Sequence, residues 1–181
     1  MPTIRACATA ATMWSPMAER RLRLFGLVLF AAILVSDRLL KEFLVPLLNG
    51  QDPIVVTPFF NLVMVWNRGV SFGLFQQGDD IGRYLLTGFA IIVGLFLLVW
   101  MLRSHTRLAV TGLAMVAAGA LGNAYDRIVF GAVADFLDFH LSGYHFWAFN
   151  VADSGITIGV GLLLLDAFRA RPDSVAASKE Q

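Results

Sequence analysis

Four long apolar segments dominate the pattern of hydrophobic and polar positions along the chain. Charge-free runs cover residues 24–36, 84–102, 108–125 and 154–165. A helix that rises about 1.5 Å per residue needs roughly 20 residues to cross about 30 Å of hydrocarbon. The second and third runs nearly reach this length alone, whereas the first and fourth reach it only by including ionisable residues at one end. The pattern therefore predicts four transmembrane helices, over about residues 22–44, 84–102, 108–126 and 151–168.

Two long connecting segments, residues 45–83 and 127–150, separate these spans on one side of the membrane. On the other side only residues 103–107 join the second span to the third. The first long segment contains a run of β-branched and aromatic residues, 59–66, that is typical of a β-strand. We therefore predict an all-α polytopic membrane protein with a small β-sheet and loop subdomain on its outer face.

The composition agrees with a membrane protein and gives the orientation of the spans. Hydrophobic residues make up 57% of the 181 positions, charged residues only 15%, and the mean hydropathy is +0.70, which together are typical of a membrane protein. Nine of the 14 Lys and Arg residues lie on the cytoplasmic side if both termini are inside, and such residues are retained there. We expect cytoplasmic tails over residues 1–21 and 169–181.

The basic residues Arg20, Arg21 and Arg23 precede the first apolar run, an arrangement also found in cleaved signal peptides. No pair of small residues with cleavage-site spacing follows that run, so an uncleaved first span is the favoured interpretation. The net charge of +1 gives no reason to expect a nucleic-acid partner.

Cysteine and histidine usage argues against metal and thiol chemistry. Cys7 is the only cysteine, so the chain has no disulfide framework and no cysteine metal site. His105, His140 and His145 lack the spacing of metal ligands, and no His-Glu-x-x-His motif, Gly-x-Ser-x-Gly elbow or phosphate-binding loop is present. We expect neither a metal nor a cofactor.

Polar residues recur at helical spacing within the predicted spans. Asp37 and Lys41 are four residues apart, so they share a helical face and can form an ion pair. We interpret this pair as interfacial, with side chains that extend to water. Asn123, Asp126 and Arg127 also project from one helical face, where an Asp126 and Arg127 pair serves either as scaffold or as part of a polar pocket.

Aspartates at the edges of the spans are the strongest candidates for chemistry. A carboxylate near the centre of a span costs on the order of 2.5 to 3.5 kcal/mol and usually faces a protein interior or a water pocket. Two carboxylates brought together share one proton, as in aspartic proteases, where one member activates water. Asp126, Asp135 and Asp138 are equally placed by spacing to pair with Asp153. A small proton-coupled transporter or channel component is the alternative function for such acids.

Four motifs occur in order among the four spans, and together they resemble the lipoprotein signal peptidase (signal peptidase II) family. The motifs are Asn67-x-Gly-x-Ser-Phe-Gly, Gly119-Ala-Leu-Gly-Asn-x-x-Asp-Arg127, Val133-x-Asp-Phe136 and Phe149-Asn-x-Ala-Asp153. The resemblance covers about residues 22–168. It implies an aspartic endopeptidase of the bacterial inner membrane, with its active site at the periplasmic face. Such an enzyme removes the signal peptide from diacylglyceryl-modified prolipoproteins, cleaving before the lipidated cysteine, with membrane lipids as its surroundings.

The resemblance also implies roles for individual residues. The motif acids Asp135 and Asp153 correspond to the catalytic pair, which leaves Asp126 a supporting role and Asp138 a solvated or locally paired one. The supporting or substrate-binding positions are Asp37, Lys41, Asn67, Gly69, Asn123, Asp126, Arg127, Asn150 and Ala152. The chain departs from the family in lacking a proline before Phe149 and in reading Ala118-Gly119-Ala120 for Gly-Gly-Ala. Phe59, Phe60 and Phe72 are candidates for a lid over the site.

Overall fold

The computed structural model describes residues 15–69 and 80–169, with the side chain of residue 80 outside the description. Four helices and four short strands follow one another along the chain. They are α1 (Pro16–Leu48), β1 (Ile54–Thr57), β2 (Phe60–Asn67), α2 (Asp80–Arg103), α3 (Arg107–Val129), β3 (Val133–Leu141), β4 (Tyr144–His145) and α4 (Val151–Arg169). The predicted combination of a mostly helical protein with a small sheet is confirmed.

Within the described part of the chain, α2, α3 and α4 are long and apolar enough to cross a membrane. Helix α1 is longer, at 33 residues, but charged residues at both ends leave only residues 24–36 free of charge. A fourth membrane span in α1 therefore stays a prediction. Helix α1 also runs past the predicted end near residue 44, because Leu48 is buried with Leu44 and Phe136 in an apolar cluster beneath the sheet.

Small residues allow α3 to approach α4 closely at the centre of the bundle. Gly112 and Gly159 face each other so tightly that a β-carbon on either would lie 2.7 Å from the carbonyl oxygen of the other. Farther along α3, a β-carbon at Gly119 would overlap the carbonyl oxygen of Ala152. Small side chains at such crossings let helix backbones come together. The first turn of α4 is consequently held directly against α3.

The sheet is antiparallel with strand order β1-β2-β3-β4. It lies at the end of the bundle where α1 and α3 end and α4 begins. The segment before α4 is tied to β3, since the carbonyl of Phe149 accepts the N–H groups of Phe136 and Leu137 at 3.1 and 2.9 Å. This pairing places residue 150 beside β3 and fixes where α4 starts.

Strand β3 was not predicted, since no strand was identified within the outer segment 127–150. Its sequence, VADFLDFHL, carries two aspartates among the apolar residues, and these hide the alternation of an ordinary strand. Both aspartates are buried in the folded chain, so the strand is stabilised on each face by specific polar partners. Those partners define the site.

Candidate active site

Asn150 bridges the two motif acids. Its side-chain Nδ2 donates to Asp135 Oδ1 at 2.7 Å, and its Oδ1 accepts the backbone N–H of Asp153 at 2.9 Å. The backbone N–H of Asn150 donates in return to Asp153 Oδ2 at 3.3 Å. This reciprocal pair is a capping box, with Asn150 as the residue before α4 and Asp153 at its third position. One fully buried amide side chain therefore contacts both acids.

The capping box explains why an apolar helix begins with a carboxylate. Asp153 lies in the first turn of α4, where the free N–H groups and the helix dipole favour negative charge. A further hydrogen bond holds the side chain, because Asn123 Nδ2 on α3 donates to Asp153 Oδ1 at 2.7 Å. The Oδ1 atom of Asn123 also lies 3.4 Å from Asn150 Nδ2, so both asparagines belong to the same polar cluster.

Asp135 lies on β3 and is 1% exposed. Asn67 ends β2 and pairs with Val133, which puts it diagonal to Asp135 on the neighbouring strand. Its Nδ2 donates to Asp135 Oδ2 at 3.0 Å. Asn67 is itself oriented by the N–H of Gly69, which donates to its Oδ1 at 2.9 Å. Gly69 has a φ of +84°, a conformation that favours glycine.

The pKa of the Asp135 carboxyl is raised to about 6, first by burial and then by the negative charge of Asp153. The hydrogen bonds from Asn67 and Asn150 and the positive charge of Lys41 act in the opposite direction. The influence of Asp153 places the two carboxyl groups within electrostatic reach of each other. The raised pKa lets the Asp135 carboxyl keep its proton up to about pH 6.

Arg127 lies on the same side of α3 as Asn123. Its Nη1 donates to the Asn123 carbonyl at 3.3 Å, and its charge interacts with those of Asp153 and Asp135. Its Nε is buried and has no hydrogen-bond partner among the described residues. A β-carbon at Gly69 would lie 2.7 Å from Leu86 Cδ1 and 3.4 Å from Arg127 Nη2, so glycine at this position leaves room for Leu86 and lies next to the guanidinium group.

Asp37 and Lys41 do pair, but the prediction that their side chains extend to water is wrong. The Lys41 side chain is fully buried, and its Nζ lies 2.7 Å from Asp37 Oδ2 and 2.6 Å from Asp126 Oδ2. The difference arises because α3 packs over this face of α1 and supplies a second carboxylate. Asp126 therefore faces Lys41, and Ala152, the last of the predicted supporting residues, is buried against α3.

Asp138 occupies the opposite face of β3 from Asp135, since the two are three residues apart on a strand. It is buried, and it is locally paired, accepting from Asn61 Nδ2 at 3.0 Å and contacting His145 Nδ1 at 2.8 Å. Of the three acids that spacing left open, Asp135 is the one bridged to Asp153. Asn61 and His145 were not anticipated, because no motif connects either of them with Asp138.

The family model described as Signal peptidase (SPase) II matches residues 29–169. The chain belongs to the signal peptidase II family. It is 47% identical over 145 residues to the lipoprotein signal peptidase of Methylobacterium sp. (strain 4-46), covering 79% of this chain and 88% of that one. It is 41% identical over 157 residues to that of Nitrobacter hamburgensis, covering 83% and 96%. The family resemblance of the four motifs is confirmed.

Two solved structures are similar to this signal peptidase II chain. A bacterial membrane enzyme determined by the in meso method at 2.3 Å resolution aligns with a TM-score of 0.70 at 26% identity, over 83% of this chain and 91% of that one. A second, determined in the same way at 1.9 Å, aligns with a TM-score of 0.68 at 27% identity, over 79% and 92%. The fold described above is therefore one that bacterial membrane enzymes adopt.

Some motif positions of this signal peptidase II chain lie outside the described residues. Residues 71–73, which complete the motif that begins at Asn67, belong to this group, as does Phe72 of the predicted lid. Cys7 and most of both predicted tails also lie outside. Phe59 is exposed and Phe60 is half-buried on the sheet, and no contact of theirs with the acids is among those described above.

Proposed function

We propose that this chain removes the signal peptide from diacylglyceryl-modified prolipoproteins and cleaves before the lipidated cysteine, with Asp135 and Asp153 as the catalytic pair. Membership of the signal peptidase II family supports the substrate class, since its relatives are named lipoprotein signal peptidases. The observation that carries the assignment of the pair is Asn150, whose side chain donates to the Asp135 carboxylate and whose backbone N–H donates to the Asp153 carboxylate.

In the proposed reaction Asp135 begins protonated and Asp153 ionised, consistent with the raised pKa of Asp135. Asp153 takes a proton from water as the water oxygen attacks the scissile carbonyl carbon, and Asp135 gives its hydrogen bond to the carbonyl oxygen. The tetrahedral intermediate collapses as the C–N bond breaks and the leaving amine accepts the proton from Asp153. The proton on Asp135 remains with the pair, which is ready for the next water.

Arg127 and the turn formed by Asn67 and Gly69 are proposed to bind the substrate backbone. An extended peptide in a site of low dielectric needs a partner for each of its backbone polar groups. The buried Nε of Arg127 has an unused donor among the described contacts, and a substrate carbonyl is a suitable acceptor. Gly69 lies next to the guanidinium group, while Phe59, Phe60 and Phe72 remain the proposed lid.

We propose that all four helices cross the bacterial inner membrane, with both tails cytoplasmic and the sheet at the periplasmic face. For α1 this proposal is supported by the Lys41 cluster, which consists of Asp37, Lys41 and Asp126. In this cluster the buried charges in the second half of α1 are paired with opposite charges. Large apolar side chains on the outside of the bundle, including Phe43 and Phe89, are exposed. Such surfaces suit membrane lipids and the acyl chains of the substrate.

A cleavage assay on the purified protein tests this function. The substrate is one prolipoprotein prepared in two forms, with and without the diacylglyceryl group, and cleavage is followed as a mobility shift on a gel. We expect a shift for the lipidated form and a cleavage site immediately before the modified cysteine, located by mass spectrometry. Failure to cleave the lipidated form, or cleavage at another bond, would refute the proposal.

A further inference from the structure

Lys41 is the centre of a buried cluster that reaches three helices. Its side chain is fully buried, and its Nζ lies within 2.7 Å of carboxylate oxygens on Asp37 of α1 and Asp126 of α3. Both carboxylates are themselves buried. A lysine is rarely buried to this extent unless it is paired, and here one ammonium group ties two acids together.

Each of these two acids also accepts a backbone N–H, and each of these N–H groups belongs to the residue that precedes a motif acid. Asp37 Oδ1 accepts the N–H of Ala152 at 3.0 Å, and Asp126 Oδ2 accepts the N–H of Ala134 at 3.3 Å. Ala152 immediately precedes Asp153, and Ala134 immediately precedes Asp135. The cluster therefore connects the first turn of α4 to β3 through one lysine.

We infer that Asp37, Lys41 and Asp126 are positioning residues that fix the separation between Asp135 and Asp153. Lys41 pulls the two carboxylates together, and each carboxylate holds the peptide group in front of one acid. The inference rests on the proposed function in taking Asp135 and Asp153 as the reacting pair. It goes beyond that function by assigning the three residues a geometric task at the backbone, with no contact to substrate.

Stability alone is a poor explanation for this cluster. Burying an ion pair costs about as much desolvation energy as the attraction returns, and well-packed apolar residues often serve as well. A hydrogen bond from one backbone N–H group to a carboxylate is directional, whereas an apolar contact is not. Catalytic geometry is also sensitive, since a displacement of about 1 Å can reduce turnover about 10²-fold.

A cross-linking experiment measures the separation without relying on activity. The full chain is prepared with Cys7→Ser, Asp135→Cys and Asp153→Cys, and a short bifunctional thiol reagent joins the two introduced side chains. We expect efficient cross-linking when the Lys41 cluster is intact and a several-fold lower yield when Asp126→Leu or Lys41→Met is added. An unchanged yield in both variants would overturn the inference, whatever the chain cleaves.

Two substitutions at Asp126 distinguish the loss of the hydrogen-bond acceptor for Ala134 from the loss of the carboxylate charge. Asp126→Asn keeps an oxygen that can accept the Ala134 N–H, whereas Asp126→Leu does not. With the catalytic acids restored and the lipidated prolipoprotein as substrate, we expect Asp126→Leu to lower kcat about 10²-fold with little change in KM. Asp126→Asn should recover most of that loss, and equal losses in the two variants would count against the inference.

Glu42→Gln is the matched control for removing a charge from α1. Glu42 pairs with Arg38 at 3.0 Å with the same four-residue spacing, but this pair is partly exposed and has no contact with Ala134 or Ala152 among the described bonds. Its cross-linking and kcat should match the unsubstituted chain. Thermal melting identifies any variant that fails to fold. Lys41→Met combined with Asp37→Asn and Asp126→Asn then replaces it, because this triple variant leaves no buried charge of the cluster unpaired, and its cross-linking yield is expected to fall as for Lys41→Met.

Discussion

Asp135 and Asp138 lie three residues apart on β3 and are both nearly inaccessible, at 1% and 5% exposed, yet their acidities move in opposite directions. The pKa of Asp135 is raised to about 6 by burial and by the charge of Asp153. Burial also acts to raise the pKa of Asp138, but hydrogen bonds from Asn61 and His145 outweigh it, so that pKa is lowered. The two faces of one strand thus hold one carboxyl with a raised pKa and one with a lowered pKa.

The comparison teaches that burial does not by itself make an aspartate reactive. Both side chains accept an amide hydrogen bond from β2, from Asn67 and Asn61 respectively. The other neighbours differ, since Asp135 has the amide of Asn150 and the charge of Asp153 beside it, whereas Asp138 has a histidine. A like charge prepares an acid to share a proton, whereas a cation or donor fixes it in the ionised form.

The largest expected contrast is in activity. Asp135→Asn should reduce cleavage of a lipidated prolipoprotein by about 10³-fold or more, since a positioned acid or base contributes roughly 10² to 10⁴. Asp138→Asn should stay within about threefold of the unsubstituted enzyme, because it removes no group of the proposed pair. Single-turnover rates in detergent measure both. Similar losses in the two variants would remove the functional distinction between the two faces of β3.

The second contrast is in the pH dependence of stability. Because the pKa of Asp135 is raised from 3.8 to about 6 in the folded protein, its stabilising contribution is fully present below about pH 4. That contribution is lost as the pH rises through about 6, on the order of 3 kcal/mol in total. Asp135→Asn should therefore gain melting temperature relative to the unsubstituted chain between pH 4 and pH 8. A constant difference across that range would show that the carboxyl titrates normally.

Asn67→Ala should sharpen the comparison by removing a hydrogen bond that lowers the pKa of Asp135. The charged groups that act on this carboxyl, Asp153 and Lys41, are unaltered. The high-pH limb of kcat/KM, where Asp135 loses its proton, should consequently move to higher pH, with a loss of activity of about tenfold for the lost hydrogen bond. A limb that stays in place or moves to lower pH would contradict the assignment of the proton to Asp135.

The smallest expected effect is on the stability contributed by Asp138, on the face of β3 opposite Asp135. The pKa of Asp138 is lowered, so its stabilising contribution is present above the unfolded pKa and is lost as the pH falls through the folded value. Asp138→Asn should therefore cost about 1 kcal/mol at pH 7, and this difference should shrink on acidification. Denaturant titrations at pH 7 and pH 3 provide the test, and a difference that grew at pH 3 would reverse the predicted sign.

The sequence predicts the helices of this protein far better than it predicts the polar contacts. Long charge-free runs place α2, α3 and α4 within a few residues of their observed ends, because the membrane demands a minimum apolar length. The strand run at residues 59–66 likewise corresponds to β2. Strand β3 was missed because its two aspartates are satisfied by residues far away in the chain, and no local rule anticipates such partners.

The candidate site shows the same division. The spacing of Asn150 and Asp153 is that of a capping box, so the local role of Asp153 at the start of α4 is readable from the sequence. Burial of Lys41 is not readable in this way, because it depends on Asp126 arriving from α3. Spacing also left three partners open for Asp153, and only the pairing of β2 with β3 and of residue 149 with β3 brings Asp135 to Asn150.

The central claim is that Asp135 and Asp153 act as one unit, and the double substitution tests it most directly. Single-turnover cleavage of a lipidated prolipoprotein is measured for Asp135→Asn, for Asp153→Asn and for the variant that carries both. Groups that act together are strongly non-additive, so the account predicts that each single variant loses nearly all activity and that the double variant is no slower than either. Losses that multiply in the double variant, or a single variant that keeps substantial activity, would contradict a shared role for the two acids.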